Sequence, residues 1–227
     1  MEKNIWSEFA KSYDIILSNW SLYQELRDKI GCHLAGCNLI LDQGCGTGII
    51  ALDLARKGKM VYGIDNNKEM LARAFENIDE NICNNICLKE GDARNLEFAD
   101  GYFDGVVSNN VLFYVNNPIA VMKEAHRVLK KEGIFIASGP LPNPCLEKLT
   151  QHITLEFKEK GIYKTLHKNL EHFVECSIKL KRTGMPNTFR AKELTGLFKE
   201  NAGFSEVVEE CEDLYLGQSY FIALKKI

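Results

Sequence analysis

The chain alternates short apolar runs with stretches in which apolar residues recur every three or four positions. Short runs are typical of buried strands, and the longer period is typical of amphipathic helices. The apolar runs lie at residues 39–41, 60–64, 86–88, 103–108 and 134–137. Strands that alternate with helices predict βαβ units and a mostly parallel sheet.

The two ends of the chain depart from this alternation. Residues from about Asn4 to Ala35 show helical spacing, and these helices either pack on the sheet or form a lid over its ligand-binding edge. Near the other end, a helix over 190–201 precedes apolar strands at 204–208 and 220–224. Because a short connection joins these last two strands, we expect them to pair antiparallel.

A third departure follows the fifth strand. Breaks at Leu141–Pro144 and Thr183–Asn187 bracket a segment from Cys145 to Arg182 with mostly helical spacing. The segment is too short for a domain and too long for a plain crossover. We therefore interpret it as a helical cap inserted near the ligand-binding edge of the sheet.

Composition narrows the class of protein. Of the 227 residues, 45% are hydrophobic and 26% are charged, and the formal net charge is -3. This balance argues against a nucleic-acid partner held mainly through its phosphates, which requires a basic face. No apolar run approaches the roughly 20 residues of a membrane helix, and the charged N-terminus lacks the apolar region of a signal peptide.

The eight cysteines are scattered along the chain. None of them has the spacing of a zinc site, so we expect no metal. Without an export signal, reduced thiols and a cytoplasmic location are the better expectation.

The most informative stretch is Asn38–Gly48, which reads NLILDQGCGTG. A strand that passes through a glycine turn into a helix leaves backbone N–H groups available for a ligand, and glycine lets that ligand approach closely. Asp42 ends this strand, and Asp65, Asp92 and Asn109 follow the ends of the next three. Because the carboxyl ends of parallel strands meet at one edge, we expect these four side chains to converge there.

The order of the glycines separates two large families. Dinucleotide-binding dehydrogenases carry G-x-G-x-x-G, but the sixth position here is Ile49. The string DQGCGTG from Asp42 to Gly48 resembles instead the D/E-x-G-x-G-x-G motif of the class I methyltransferases that depend on S-adenosylmethionine (SAM). Five later strings resemble the same family in the same order, namely YGID (62–65), EGDA (90–93), FDGVVSN (103–109), RVLKKEG (127–133) and NAGF (201–204). In RVLKKEG, Glu132 stands where the family has a glycine.

This resemblance implies an α/β fold, a Rossmann-like three-layer sandwich. Its seven-stranded sheet is mostly parallel with the last strand antiparallel, and N-terminal helices and a helical cap after the fifth strand are added to it. The expected single methyltransferase domain comprises an N-terminal helical lid (1–36), a SAM-binding core (37–140), a helical substrate cap (141–188) and a C-terminal helix with a β-hairpin (189–227).

The resemblance also implies a SAM site. Asp42 would engage the ammonium side of the cofactor, Asp65 would accept the two ribose hydroxyls, and Asp92 with the Ala93 amide would bind the adenine. The complete expected cofactor-binding set is Tyr13, Asp42, Gly44, Cys45, Gly46, Thr47, Gly48, Asp65, Asn66, Met70, Asp92, Ala93 and Asn109.

The implied chemistry is in-line transfer of the SAM methyl group, with S-adenosylhomocysteine as product. In such a displacement the enzyme contributes mainly alignment and desolvation, and Asn109 and Tyr114 are candidates for this task. A general base is needed only for an acceptor that is protonated at the working pH. Because histidine titrates near neutral pH, the base candidates are the cap residues His152, His167 and His172.

The predicted function is therefore methyl transfer to an O, N, S or C atom of a small-molecule acceptor. Two alternatives stay open: a SAM enzyme that cyclises or transfers the aminobutyryl arm and releases methylthioadenosine, and a non-catalytic SAM-binding regulatory protein. A nicotinamide dehydrogenase is disfavoured by Ile49. Nucleic-acid methylation is disfavoured by the net charge and by the lack of an Asn/Asp-Pro-Pro-aromatic string after the fourth strand.

Overall fold

The computed structural model describes residues 5–183 and 185–227. Asn4, where the first helix was expected to begin, and Gly184 of the second break lie outside these residues. The described helices are α1 (Ile5–Asn19), α2 (Ser21–His33), α3 (Ile49–Arg56), α4 (Lys68–Glu76), α5 (Pro118–Val128), α6 (Leu146–Glu159), α7 (Tyr163–Thr183), α8 (Ala191–Ala202) and α9 (Leu214–Gly217). The strands are β1 (Leu39–Gln43), β2 (Met60–Asp65), β3 (Ile86–Glu90), β4 (Phe103–Asn109), β5 (Leu129–Pro140), β6 (Glu206–Asp213) and β7 (Ser219–Lys225).

The strands form one seven-stranded sheet in the order β3-β2-β1-β4-β5-β7-β6. Neighbours from β3 to β5 are parallel, whereas β7 runs antiparallel to both β5 and β6. The predicted Rossmann-like fold with an antiparallel last strand is therefore confirmed. The chain order reverses on either side of β1, and open α/β sheets bind ligands at the carboxyl edge beside such a reversal.

Alternate strand residues bury their side chains on opposite faces of the sheet. Ile40 and Ile136 face a cluster that includes apolar residues of α1, α2, α3 and α6. Leu41 and Phe135 face a second cluster with residues of α5 and α8. Because both faces are covered, the central strands read as continuous apolar runs rather than as alternating ones.

Helix α4 corrects one expectation about the core, because the helical spacing of Met70, Leu71, Ala74 and Phe75 predicts that all four are buried. Met70, Leu71 and Ala74 are buried as expected, but Phe75 is 53% exposed. One helical step rotates a side chain by about 100°, so Phe75 follows Ala74 out of the contact face of this short helix.

The edge strand β6 is longer than the sequence pattern predicted. It reaches Asp213 and has the sequence EVVEECED, in which five of eight residues are acidic. β6 lies at the edge of the sheet and pairs with β7 on one side. Its charged residues and its apolar residues therefore lie on the same edge strand.

The predicted cap is helical, and its two helices, α6 and α7, pack against the N-terminal helices rather than over the ligand-binding edge. Helix α7 packs along α1, where the Phe173 ring lies 5.1 Å from that of Phe9. Helix α6 contacts the start of α2, because the backbone N–H and the hydroxyl of Ser21 donate to Glu156 at 2.8 and 2.7 Å. The cap helices therefore pack against the N-terminal helices, and aromatic residues of α1 form part of that contact.

The turn that opens β5 departs from the family pattern at Glu132. Its φ of 64° lies in the left-handed region, where a side chain costs roughly 1–2 kcal/mol. The family's glycine at this position has no such cost. The Glu132 carboxylate pairs with Lys225 at 2.6 Å on the surface, and exposed pairs of this kind stabilise little.

We expect Glu132→Gly to unfold at a higher temperature than Glu132→Gln, by about 2 °C. Both variants lack the ion pair with Lys225, so the difference between them reports the left-handed backbone alone. Thermal unfolding followed by circular dichroism measures it, and equal melting temperatures would contradict the argument.

Candidate active site

A cavity of about 620 Å³ opens at the carboxyl edge of β1, β2 and β4. Its size lies within the range of small-molecule sites. The lining includes residues from the glycine turn, from the ends of four strands and from α1 and α2. Those used below are Trp6, Tyr13, Tyr23, Asp42, Gly44, Cys45, Gly46, Thr47, Asp65, Asn66, Met70, Asp92, Ala93, Arg94, Asn109, Asn110, Tyr114, Val115, Asn116 and Pro186.

The glycine turn has the conformation that its sequence requires. Gly44, Gly46 and Gly48 have φ values of 81°, 54° and 77°. Residues other than glycine rarely adopt these backbone angles. At Gly44 a Cβ atom would also lie 2.3 Å from a methyl carbon of Val111. The turn therefore brings its backbone against the cavity with no side chain between them.

Asp65 holds the glycine turn in place. One carboxylate oxygen accepts the N–H of Gly46 at 2.8 Å, and the other accepts the N–H of Asn67 at 2.8 Å. Burial raises the pKa of Asp65, while these backbone N–H groups oppose the rise. Each oxygen keeps a second lone pair, so Asp65 can accept hydrogen bonds from a ligand as well.

Asp42 lines the cavity with one carboxyl oxygen, Oδ2, that has no hydrogen-bond partner among the described residues. The residue is 2% exposed. Burial, together with the nearby charge of Asp65, raises the pKa of Asp42 to about 7. A buried carboxylate without a partner is costly, so this position favours a ligand that brings positive charge.

A hydrogen-bonded network connects α1 and α2 to the end of β4. The amide of Asn109 donates to the Tyr23 hydroxyl at 3.1 Å, and that of Asn110 donates to the Tyr13 hydroxyl at 3.2 Å. The Ser138 hydroxyl donates to Asn109 at 2.6 Å and orients its amide. Burial raises the pKa of both tyrosines, whose hydroxyls also bond to each other, so both remain protonated near neutral pH.

The far end of the cavity carries an ion pair. The Arg94 guanidinium contacts both oxygens of Asp92 at 2.7–3.1 Å. This pairing lowers the pKa of Asp92, so its carboxylate is charged throughout the physiological range and available at the rim.

Comparisons with known proteins agree with this geometry. A family model described as a methyltransferase domain matches residues 41–137. YqeM of Bacillus subtilis, a methyltransferase candidate, is 38% identical over 136 residues, which are 58% of this chain and 54% of YqeM. UbiE of Rickettsia prowazekii, a C-methyltransferase of ubiquinone and menaquinone biosynthesis, is 34% identical over 143 residues, 59% of this chain and 58% of UbiE.

A solved structure of a SAM-dependent methyltransferase candidate from Methanococcus maripaludis matches with a TM-score of 0.69 at 21% identity, covering 100% of this chain and 95% of that one. These findings support the assignment of this chain to the class I SAM-dependent methyltransferase family.

The chain spans about half the length of the curated relatives it matches, 54% of YqeM and 58% of UbiE. The match to the solved structure extends over the whole chain at low identity and reports on the fold. No helix among residues 5–183 and 185–227 is long and apolar enough to cross a membrane.

SAM is the cofactor that these comparisons support, and the pocket fits its charges. When bound, SAM supplies a methyl group already activated by a positive sulfonium. Its ammonium and sulfonium groups match a cavity in which the Asp42 carboxyl group is buried with one oxygen unpartnered. The residues present are therefore suited to hold SAM.

The structure brings most of the expected site residues together. Twelve of the thirteen residues of the expected cofactor-binding set line the cavity, as does Tyr114. Gly48 does not, because it is the N-cap of α3 and its backbone faces Ala74, whose methyl group would lie 3.0 Å from an added Cβ. Its glycine is required by the left-handed φ and by this contact.

The three candidate bases lie elsewhere. His152 accepts a hydrogen bond from the Trp20 indole at 3.2 Å, and His172 contacts the Ser12 hydroxyl at 2.9 Å. His167 bonds within its own helix to the carbonyl of Lys164. None of the three is among the described residues that line the cavity, since the helices that carry them pack behind α1.

Several lining residues were not identified from the sequence. Trp6 and Tyr23 belong to the N-terminal helices, and the sequence assigned no role to them or to Arg94 and Pro186. Asn110 had a usable signal, because it directly follows the strand-end Asn109. The spacing of aromatic residues identifies a buried helix face but does not indicate which end of the sheet that face covers.

We expect the affinity for SAM to rise with pH up to about pH 7. Asp42 must lose its proton to pair with a cationic ligand, so below its pKa the affinity falls by about tenfold per pH unit. Calorimetric titration between about pH 5.5 and 8.5 measures this dependence. The variant Asp42→Asn is expected to bind SAM more weakly without this slope.

The matched control is Asp92→Asn. The pKa of the Asp92 carboxyl group is lowered rather than raised, so this group stays charged over the pH range of the titration. The Asp92→Asn variant should therefore keep the pH dependence of SAM affinity even if the affinity itself falls. A pH-independent affinity in the unsubstituted protein would contradict the role assigned to Asp42.

Proposed function

We propose that this protein transfers the methyl group of SAM to a small-molecule acceptor by in-line displacement. The observation that carries the proposal is the pair of acids Asp42 and Asp65 beside a glycine turn in one cavity. A nucleotide-sized cofactor with positive charge at one end and a ribose at the other satisfies both of them.

Each acidic residue would hold a different part of SAM. Asp42 would pair with the cationic methionine part, directly or through water. Asp65 would accept the ribose hydroxyls with lone pairs that the backbone N–H groups of Gly46 and Asn67 leave available. Asp92, with the Ala93 amide, would bind the adenine edge, and Asn66 and Met70 would border the ring.

The remaining wall of the cavity suggests the class of acceptor. Trp6 and Tyr114 meet edge to face with ring centroids 5.4 Å apart, and Val115, Asn116 and Pro186 line the cavity with them. The charged lining residues, by contrast, are the three acids and Arg94 assigned to the cofactor end. We therefore propose an uncharged acceptor with a flat, largely apolar body, and the similarity to UbiE supports a small molecule of this kind.

The chain's own residues would align the acceptor and exclude water. Asn109, held by Ser138 and Tyr23, has a fixed amide at the end of β4, and Tyr114 can orient the acceptor from the opposite side. The described lining contains no histidine, so the acceptor would be one that needs no neutral-pH base, such as an electron-rich carbon. Desolvation inside the aromatic wall would then favour displacement at the sulfonium.

We expect Asp65→Asn to weaken SAM binding by roughly ten- to a hundredfold, as a hydrogen bond to a charged group is lost. Calorimetry measures the affinity. The matched control is Glu90→Gln, because Glu90 pairs in register with Asp65 on the adjacent strand but lies outside the lining. Equal affinities in the two variants would contradict the assigned ribose contact.

Product analysis distinguishes the proposed reaction from its alternatives. Incubation with SAM and a metabolite extract should yield S-adenosylhomocysteine and one acceptor heavier by a methylene unit, both detected by mass spectrometry. Methylthioadenosine would indicate chemistry at the aminobutyryl arm instead. Tight SAM binding with neither product, across extracts from several sources, would favour the regulatory alternative.

A further inference from the structure

Three potential metal ligands meet where α7 packs along α1, away from the cofactor cavity. Glu8 belongs to α1, and His172 and Cys176 lie one turn apart on α7. One ligand atom from each residue lies within 4.8 Å of the other two. Residues at positions i and i+4 of a helix share a face, so both α7 side chains point toward α1.

The imidazole of His172 is oriented by a buried serine. Ser12 is 1% exposed, and its hydroxyl donates to the carbonyl of Phe9 at 3.1 Å. Its oxygen therefore accepts from Nδ1–H of His172, which lies 2.9 Å away. This arrangement places the proton on Nδ1 and leaves the lone pair of Nε2 directed at Cys176, as a metal-ligating histidine requires.

The distance between the two α7 ligands suits a tetrahedral ion. Nε2 of His172 and Sγ of Cys176 are 3.7 Å apart. Zinc bonds of about 2.0–2.1 Å to nitrogen and about 2.3 Å to sulfur, at a tetrahedral angle, separate these atoms by about 3.6 Å. The ions that prefer one thiolate and one imidazole are zinc and its borderline relatives.

Glu8 can supply the third ligand from the exposed side. Its Oε1 atom pairs with Lys179 at 2.6 Å, and a carboxylate has about four lone-pair sites, so it can bind an ion in addition to its protein partners. Three protein ligands leave a fourth position for water, in keeping with the exposure of Glu8 and the burial of Cys176.

We propose that Glu8, His172 and Cys176 form a zinc site that joins α7 to α1. On binding, the thiol proton of Cys176 passes to solvent and a sulfur–zinc bond replaces the S–H bond, with no change of oxidation state. Because α1 also carries Trp6 and Tyr13, the ion would stabilise a wall of the cofactor cavity. The cysteine spacing did not predict this site, since its ligands come from helices far apart in the chain.

The test is titration of the reduced, chelator-treated protein with Co²⁺, a spectroscopic substitute for zinc. We expect one equivalent to produce a thiolate-to-cobalt absorption band that Zn²⁺ then abolishes. Cys176→Ser and His172→Asn should lose the band, and Ser12→Ala should weaken the affinity by about 10–100-fold, as removal of an orienting partner does elsewhere. SAM binding by each variant shows that it is folded.

Two residues outside the cluster provide matched controls. Cys145→Ser and His167→Asn, the latter on the same helix as His172, should leave the band and the affinity unchanged. The proposal would be overturned if the unsubstituted protein gave no band. It would also be overturned if the band survived in Cys176→Ser and if folded Ser12→Ala kept both the band and full affinity. The contact would then be an ordinary hydrogen bond between the thiol and the imidazole.

Discussion

The hydrogen bonds accepted by Asp65 are the constraint on which the rest of the site depends. Its two oxygens bind the N–H groups of Gly46 and Asn67, so one carboxylate connects the turn after β1 to the cap of α4. Asn67 continues the connection, because its own side chain accepts the N–H of Met70. The hydrogen bond from Gly46 to Asp65 at the end of β2 thus holds the glycine turn in its left-handed conformation. Because the turn lines the cavity, this bond also helps to fix the shape of the cavity.

The N-terminal helices close the same edge from the other side. Tyr13 and Tyr23 reach the paired asparagines after β4, while Trp6 meets Tyr114. Trp6 and Tyr13 of α1 and Tyr23 of α2 therefore line the cavity. The aromatic residues of α1 contact the cavity on one side and α7 on the other, and this explains why the cap helices lie behind α1.

Most of the fold was predictable because the apolar period determines element type and the polar strand ends mark one edge. The positions of Asp42, Asp65, Asp92 and Asn109 follow from that rule alone. Contacts between surfaces were not predictable, since an amphipathic pattern shows that a helix is buried without showing its partner. The positions of the cap histidines were not predictable for this reason, and Phe75 is exposed because one helical step turns it away from the face that buries Ala74.

The acidic strand β6 has a consequence for the behaviour of the protein at high concentration. An edge strand presents unpaired backbone groups to which a second chain can add, and charged side chains are one natural defence. Five carboxylates among eight residues would bring like charges close together when this edge pairs with its own copy, and like charges placed opposite each other oppose such pairing. The strand that completes the sheet therefore also limits its growth, and this protection weakens in acid as the carboxylates become neutral.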